Sequence, residues 1–178
     1  MSGPGLETIL NFLPINERLA TAGQPTREQF AAIADDGYTL VINLAPSDSS
    51  NAIPDEESAV SGAGMRYEHI PVDWQQPQLD DLKRFFETMT QSREQKVFVH
   101  CAMNLRVSSF VYLYRVLREN VPEPEAALPL NEMWGRVAAY AKGRPPTSSA
   151  VAAANSFYQP DGVWRRFIDQ ALATKFWC

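Results

Sequence analysis

Histidine and cysteine are scarce in this chain, with two of each among 178 residues. Two histidines, two thiols and scattered carboxylates offer no metal-ligand spacing, so neither a metal nor another cofactor is expected. Cys101 and Cys178 alone make no disulfide framework, and a reducing, cytoplasmic setting fits them better. Positive charge is also short, with 16 Lys and Arg against 21 Asp and Glu, a net −5. A general basic surface is therefore not expected, which argues against nucleic acid and anionic membrane as partners. Any anionic ligand has to be held by a local concentration of positive potential. No apolar run approaches a membrane span. The start, MSGPGLETILNFLP, lacks the basic n-region, apolar core and small-residue cleavage site of a secretory leader.

What the chain does have is an ordinary globular composition, 45% hydrophobic and 21% charged, in a length that suits one domain with a sizeable core. The spacing predicts alternating strands and helices. A short helical turn is expected within residues 6–13, and a loop at Ala20–Pro25 (ATAGQP) from its Gly and Pro. Thr26 reads as an N-cap with Gln29 as its capping-box partner, opening a helix to about Asp36 that buries Phe30 and Ile33 and stops at Gly37. TLVINL, residues 39–44, reads as a strand covered on both faces. A polar loop, residues 45–53, follows at the strand end where α/β proteins place ligands.

A second helix is expected over residues 54–63, with Asp55, Glu56 and Glu57 beside the positive end of its dipole. MRYEHIPV alternates like a more exposed strand. Leu79, Leu82, Phe85, Phe86 and Met89 mark one face of an amphipathic helix. Residues 105–117 are apolar nearly all round, as a covered central helix requires. Residues 123–142 read as helical with a break at Pro129, GRPPTSS as a loop, and residues 161–175 as a last amphipathic helix. The pattern implies an α/β fold, a mostly parallel central sheet flanked by helices. It is expected to form a single domain over residues 1–178, with its core at about 15–118 and a C-terminal helical region at 119–178.

The chemistry concentrates in VFVHCAMNLRVSSF, residues 97–110. Here an apolar strand ends in His100 and Cys101, and a short segment leads to Arg106 and the apolar helix. A strand-to-helix turn aims unpaired backbone N–H groups and the positive end of a dipole at one point, which gathers anions and makes a thiol acidic. The reading assigns Cys101 as nucleophile. The backbone of Ala102, Met103, Asn104, Leu105 and Arg106 would form the anion cradle, and Arg106 would grip two anion oxygens. Asn104 is suited to a left-handed turn. Ser108, one turn into the helix, would donate a hydrogen bond toward the sulfur. A buried structural thiol is the plainer alternative for a lone cysteine. The adjacent His and the Arg opening an apolar helix favour the nucleophile.

This segment resembles the phosphate-binding loop of cysteine-dependent protein tyrosine and dual-specificity phosphatases, whose pattern is His-Cys, five residues, Arg, then Ser or Thr. With ATAGQPTREQFAAIADDGYTLVINL and GAGMRYEHIPVDW, the likeness extends over about residues 15–118. It points to a bacterial branch also found fused to or beside β-lactamase-like hydrolases. The resemblance implies a phosphatase fold and hydrolysis of phosphate monoesters through a thiophosphoryl intermediate. A phosphorylated substrate or small oxyanion would be the partner.

His100 would then support the thiolate from the core. Asp73, in IPVDWQQPQ, would be the proton donor to the leaving oxygen, unless it is simply a solvated loop carboxylate. Trp74 would either stack on an aromatic phosphoester or serve as a hydrophobic anchor. One departure stands out: four residues, not five, separate Cys101 from Arg106, and Val107 falls on the expected Arg position. Either the loop keeps its length with the Arg moved back, or the loop is shorter and Arg106 closes it. The shorter loop is similar to that of rhodanese-type sulfurtransferases, which carry a persulfide. An inactive anion-binding module is the third alternative.

Overall fold

The run Val97–His100 forms β5, the central strand, buried at all four positions. The computed structural model describes residues 5–141, 160 and 162–174. Its sheet has the strand order β1-β2-β5-β3-β4, with β1 Leu13–Asn16, β2 Leu19–Ala22, β3 Leu40–Asn43 and β4 Arg66–His69. Strands β2, β5, β3 and β4 run parallel, and only the edge strand β1 is antiparallel. Strands β2, β3 and β5 are buried throughout, the pattern of a sheet covered on both faces.

The side-chain alternation of the strands divides the core in two. Val41, Phe98, Ala20 and Ala22 face Phe30 and Ile33 of α1 (Gln29–Asp35) and Val60 of α2 (Glu56–Gly62). Leu40, Ile42, Val97 and Val99 face the larger layer. That layer contains α3 (Leu79–Gln91), α4 (Leu105–Leu117), α5 (Glu123–Ala141) and α6 (Gly162–Ala173). Helix α4 is buried around most of its circumference. Its Phe110 meets Phe85 of α3 at 5.6 Å and Trp164 and Phe167 of α6 at 6.3 and 5.7 Å between ring centroids. Among the described residues no helix is long and apolar enough to cross a membrane.

Helix ends follow local chemistry. The Thr26 N–H donates to Gln29 Oε1 at 2.9 Å and the Gln29 N–H to Thr26 Oγ1 at 3.4 Å, a reciprocal capping box before α1. Gly37 takes φ +92° past its end, a conformation open to glycine without a Cβ penalty.

The fold departs from the sequence reading in three places. The reading places no strand before residue 39, yet Leu13–Asn16 forms the edge strand β1. ATAGQP is not wholly a loop, because Leu19–Ala22 is a buried strand between β1 and β5. Its small side chains carry little strand signal of their own, and the bulk filling that part of the core comes from α1. Helix α5 also runs through Pro129 without the expected break. Proline withholds one backbone N–H there, while Ala126, Leu130 and Met133 stay buried on either side. The expected loop over residues 143–149 and the alanine-rich stretch 150–154 lie outside the described residues.

Candidate active site

Strand periodicity puts successive side chains on opposite faces. His100 therefore turns toward α1 and α2, and Cys101 toward α4. Cys101 is a free, buried thiol, 1% exposed, within the α4 layer. Its N–H donates to the Ala22 carbonyl at 3.3 Å, which continues the β2–β5 ladder to the sheet edge.

Beyond Cys101 the chain turns through Ala102, Met103 and Asn104, and α4 begins at Leu105. Asn104 is wholly buried with φ +69° and ψ 8°, the left-handed turn expected for it. Its Nδ2 donates to the Asn11 carbonyl at 2.9 Å and to Thr21 Oγ1 at 3.0 Å. Neighbouring groups hold the loop from outside. The Ala102 carbonyl accepts from the Gln24 N–H at 3.2 Å and from Asn51 Nδ2 at 3.0 Å. The Met103 carbonyl accepts from Asn11 Nδ2 at 3.1 Å. Because a trans peptide sets C=O and N–H in opposite directions, the Met103 N–H points away from Gln24 and Asn51. The polar 45–53 loop thus reaches the turn after Cys101 through Asn51. Gly23 passes so close that a Cβ would lie 2.8 Å from the Ala102 carbonyl oxygen.

Four residues separate Cys101 from Arg106, one fewer than in the tyrosine-phosphatase spacing. Val107, where five intervening residues would put the arginine, is fully buried in the α4 core. Arg106, in the first turn of α4, is the arginine next to this loop. Its guanidinium carbon lies 5.3 Å from the centroid of the Trp74 ring. Its Nε is buried and has no hydrogen-bond acceptor among the described residues. Trp74 in turn packs against Trp134 at 6.0 Å and Trp164 at 5.2 Å. It anchors the loop to the C-terminal helices and carries the guanidinium on its face.

Asp73 is exposed, and its Oδ1 accepts the N–H groups of Gln75 at 2.7 Å and Gln76 at 2.9 Å. The Ser108 hydroxyl is not aimed at the sulfur as expected. It donates to the Leu105 carbonyl at 3.0 Å, a bond back to the preceding turn that helical serines commonly make.

Behind the loop lies a polar network that the sequence reading missed. His100 is wholly buried, and its Nε2 is 2.6 Å from Glu56 Oε1. Glu56 also accepts from Gln24 Nε2 at 2.7 Å and from Asn43 Nδ2 at 3.2 Å. Asn43 Nδ2 also lies 3.1 Å from the Tyr67 hydroxyl. Burial pushes the Glu56 carboxyl up, but the hydrogen bond and charge of His100, with the bonds from Gln24 and Tyr67, outweigh it and hold the group below its ordinary range. Burial pushes the Tyr67 hydroxyl up to about 12. Glu56 is thus not a solvated partner of the α2 dipole. The available signal was its spacing four residues before Val60, the other buried residue of α2.

A mostly parallel sheet flanked by helices, with a thiol at the end of its central strand, is the fold class of the cysteine-dependent phosphatases. Within that class the chain belongs to the family described as DSP-PTPase phosphatase fused to NAD+ kinase, whose model matches residues 13–144. It is similar to the β-lactamase hydrolase-like protein of Agrobacterium fabrum, 34% identical over 106 residues, covering 58% of this chain and 24% of that protein. The protein of the same name from Xylella fastidiosa is 32% identical over 111 residues, covering 61% and 26%. The chain spans about a quarter of the length of these curated relatives. Among solved structures it resembles the DUF442 protein from Shewanella putrefaciens CN-32, with TM-score 0.66 and 31% identity over 87% of this chain and 97% of that one.

Proposed function

We propose that the chain hydrolyses phosphate monoesters with Cys101 as the nucleophile. The observation that carries this reading is the placement of Cys101 at the end of β5 and Arg106 in the first turn of α4, on either side of the turn made at Asn104, with an Arg106 Nε that has no acceptor among the described residues. An unpaired buried guanidinium nitrogen is costly unless an anion completes it.

In the proposed cycle Sγ attacks phosphorus, and the bond from phosphorus to the ester oxygen breaks. Asp73 gives its proton to that oxygen, leaving a phosphorylated cysteine and a free alcohol or phenol. The Asp73 carboxylate then takes a proton from water as the water oxygen attacks phosphorus. The S–P bond breaks and inorganic phosphate leaves. Arg106 and the N–H groups of residues 102–106 bind the phosphoryl oxygens throughout. Ser108 contributes by rotating its hydroxyl from the Leu105 carbonyl to the sulfur as the S–P bond breaks. The cycle uses no cofactor.

Residues 1–178 are read as one domain, supported by the stacking of Trp74 on Trp134 and Trp164. A reducing, cytoplasmic setting suits a nucleophilic free thiol. The test is hydrolysis of an aryl phosphate and its inhibition by vanadate. Cys101→Ser is expected to lose the activity, and a variant that keeps the wild-type rate overturns the assignment.

A further inference from the structure

A cavity of about 300 Å³ opens between α4, α5 and α6, and none of its lining residues belongs to the turn after Cys101. Most of its wall is apolar. Ala127 and Leu130 come from α5, and Ile168 and Leu172 from α6. Spacings of three and four residues set each pair on one face of its helix. A space of this size between helices, walled by apolar side chains with a few polar groups, suits a small organic molecule.

The polar groups are specific. Tyr112 of α4 lines the cavity and is 7% exposed, and its hydroxyl has no hydrogen-bond partner among the described residues. Burial, with Glu123 adding to it, pushes that hydroxyl up against the opposing effect of Arg165, so it stays a neutral donor. A hydroxyl so enclosed gains from a partner that a bound molecule supplies. Charge at the rim is balanced in place. Arg165 Nε lies 3.1 Å from Asp169 Oδ1, one turn along α6. Glu123 sits in the first turn of α5, beside the positive end of the helix dipole. A charged ligand would disturb one of these arrangements, whereas a neutral one leaves both intact.

We propose that this cavity is a binding site for a neutral, mainly apolar small molecule with one hydrogen-bonding group, which meets the Tyr112 hydroxyl while the apolar body fills the space between α5 and α6. The site does not depend on the Cys101 assignment. Its walls lead into two tryptophans that pack on Trp74. Trp134 follows Leu130 by one turn of α5, and Trp164 precedes Ile168 by one turn of α6, with rings 6.0 and 5.2 Å from that of Trp74. Their indole N–H groups therefore report on the cavity.

The test uses the full chain and benzyl alcohol, with toluene, benzoate and benzylamine as probes of similar shape. Binding is read from 15N NMR shifts of α4, α5 and α6 and of the two indoles, assigned with Trp134→Phe and Trp164→Phe. Benzyl alcohol is expected to give saturable shifts confined to these groups, and the two ions to bind about tenfold more weakly, since each carries a charge out of water. Tyr112→Phe keeps the ring, and it should weaken benzyl alcohol about fivefold, the worth of one hydrogen bond, while leaving toluene unchanged. Ala127→Phe fills the cavity and should abolish saturable binding. Should it not fold, Asn131→Phe fills the same space from the next turn of α5. The proposal is overturned by shifts that rise linearly or spread over the surface, or by an ion that binds as tightly as the alcohol. Equal effects of Tyr112→Phe on benzyl alcohol and toluene overturn it too, as does saturable binding that survives in the filled variant.

Discussion

The guanidinium of Arg106 rides on the face of Trp74, 5.3 Å from the ring centroid to its central carbon. This contact joins the loop after β4 to the first turn of α4. It also ties the side chain proposed to grip the anion to α5 and α6, because Trp74 is packed against Trp134 and Trp164. A flexible arginine is thereby held near one position, which on the proposed reading lowers the entropy cost of gripping a phosphoryl group. Trp74→Ala removes that surface. A cation–π contact is worth about 1–2 kcal/mol when partly desolvated, so kcat/KM for an aryl phosphate should fall roughly tenfold. Steady-state kinetics check this, and Trp74→Phe should recover part of the loss.

Asp73 is the proposed proton donor, and its effect should depend on the leaving group. Asp73→Asn is expected to slow hydrolysis of phenyl phosphate by about a hundredfold, the low end for general acid catalysis. Dinitrophenyl phosphate, whose leaving oxygen needs no proton, should be much less affected. Equal losses on both substrates would mean that Asp73 holds the turn at Gln75 and Gln76 and transfers no proton.

Gly23 tests the cradle from behind. A methyl group there would sit 2.8 Å from the Ala102 carbonyl oxygen and 3.0 Å from Leu10 Cγ. The first of these is backbone and cannot rotate aside. Gly23→Ala should therefore push the loop and cost about 1–3 kcal/mol of stability, as overpacking does. Phosphate affinity should fall as well. Denaturant titration and phosphate protection of Cys101 against alkylation measure the two effects.

The acid limb of stability should carry the Glu56 signature. Its carboxyl is held below the ordinary value of 4.5 in the folded chain. A depressed carboxylate contributes stability that is present above the unfolded value and lost as pH falls through the folded one. Wild type should therefore lose stability as pH drops below about 4.5, and Glu56→Gln should show a shallower decline. Urea unfolding at several pH values gives both slopes. Parallel slopes would show that Glu56 does not titrate on unfolding.

Much of the scaffold was legible from local pattern. TLVINL and VFVH are apolar runs of strand length, and both are buried strands. The spacing of Leu82, Phe85, Phe86 and Met89 marks the buried face of α3. Thr26 and Gln29 make the capping box that their spacing suggests. These features rest on near neighbours in the chain, where periodicity and capping act directly. Strand β2 was hidden because its Ala-Thr-Ala residues bury little of their own, and its place depends on β1 and β5 beside it.

By itself the sequence determined that one cysteine, a strand end and an arginine would meet before an apolar helix. It also limited any anionic ligand of so acidic a chain to a local concentration of positive potential. Tertiary structure decided what those groups touch. Val107 is buried in the α4 core, and Arg106 is the arginine in the first helical turn beside the loop. Trp74 beneath Arg106 and Glu56 behind His100 come from segments 32 and 44 residues away in sequence. Such contacts are made by packing across the sheet and between layers, and no local period encodes them.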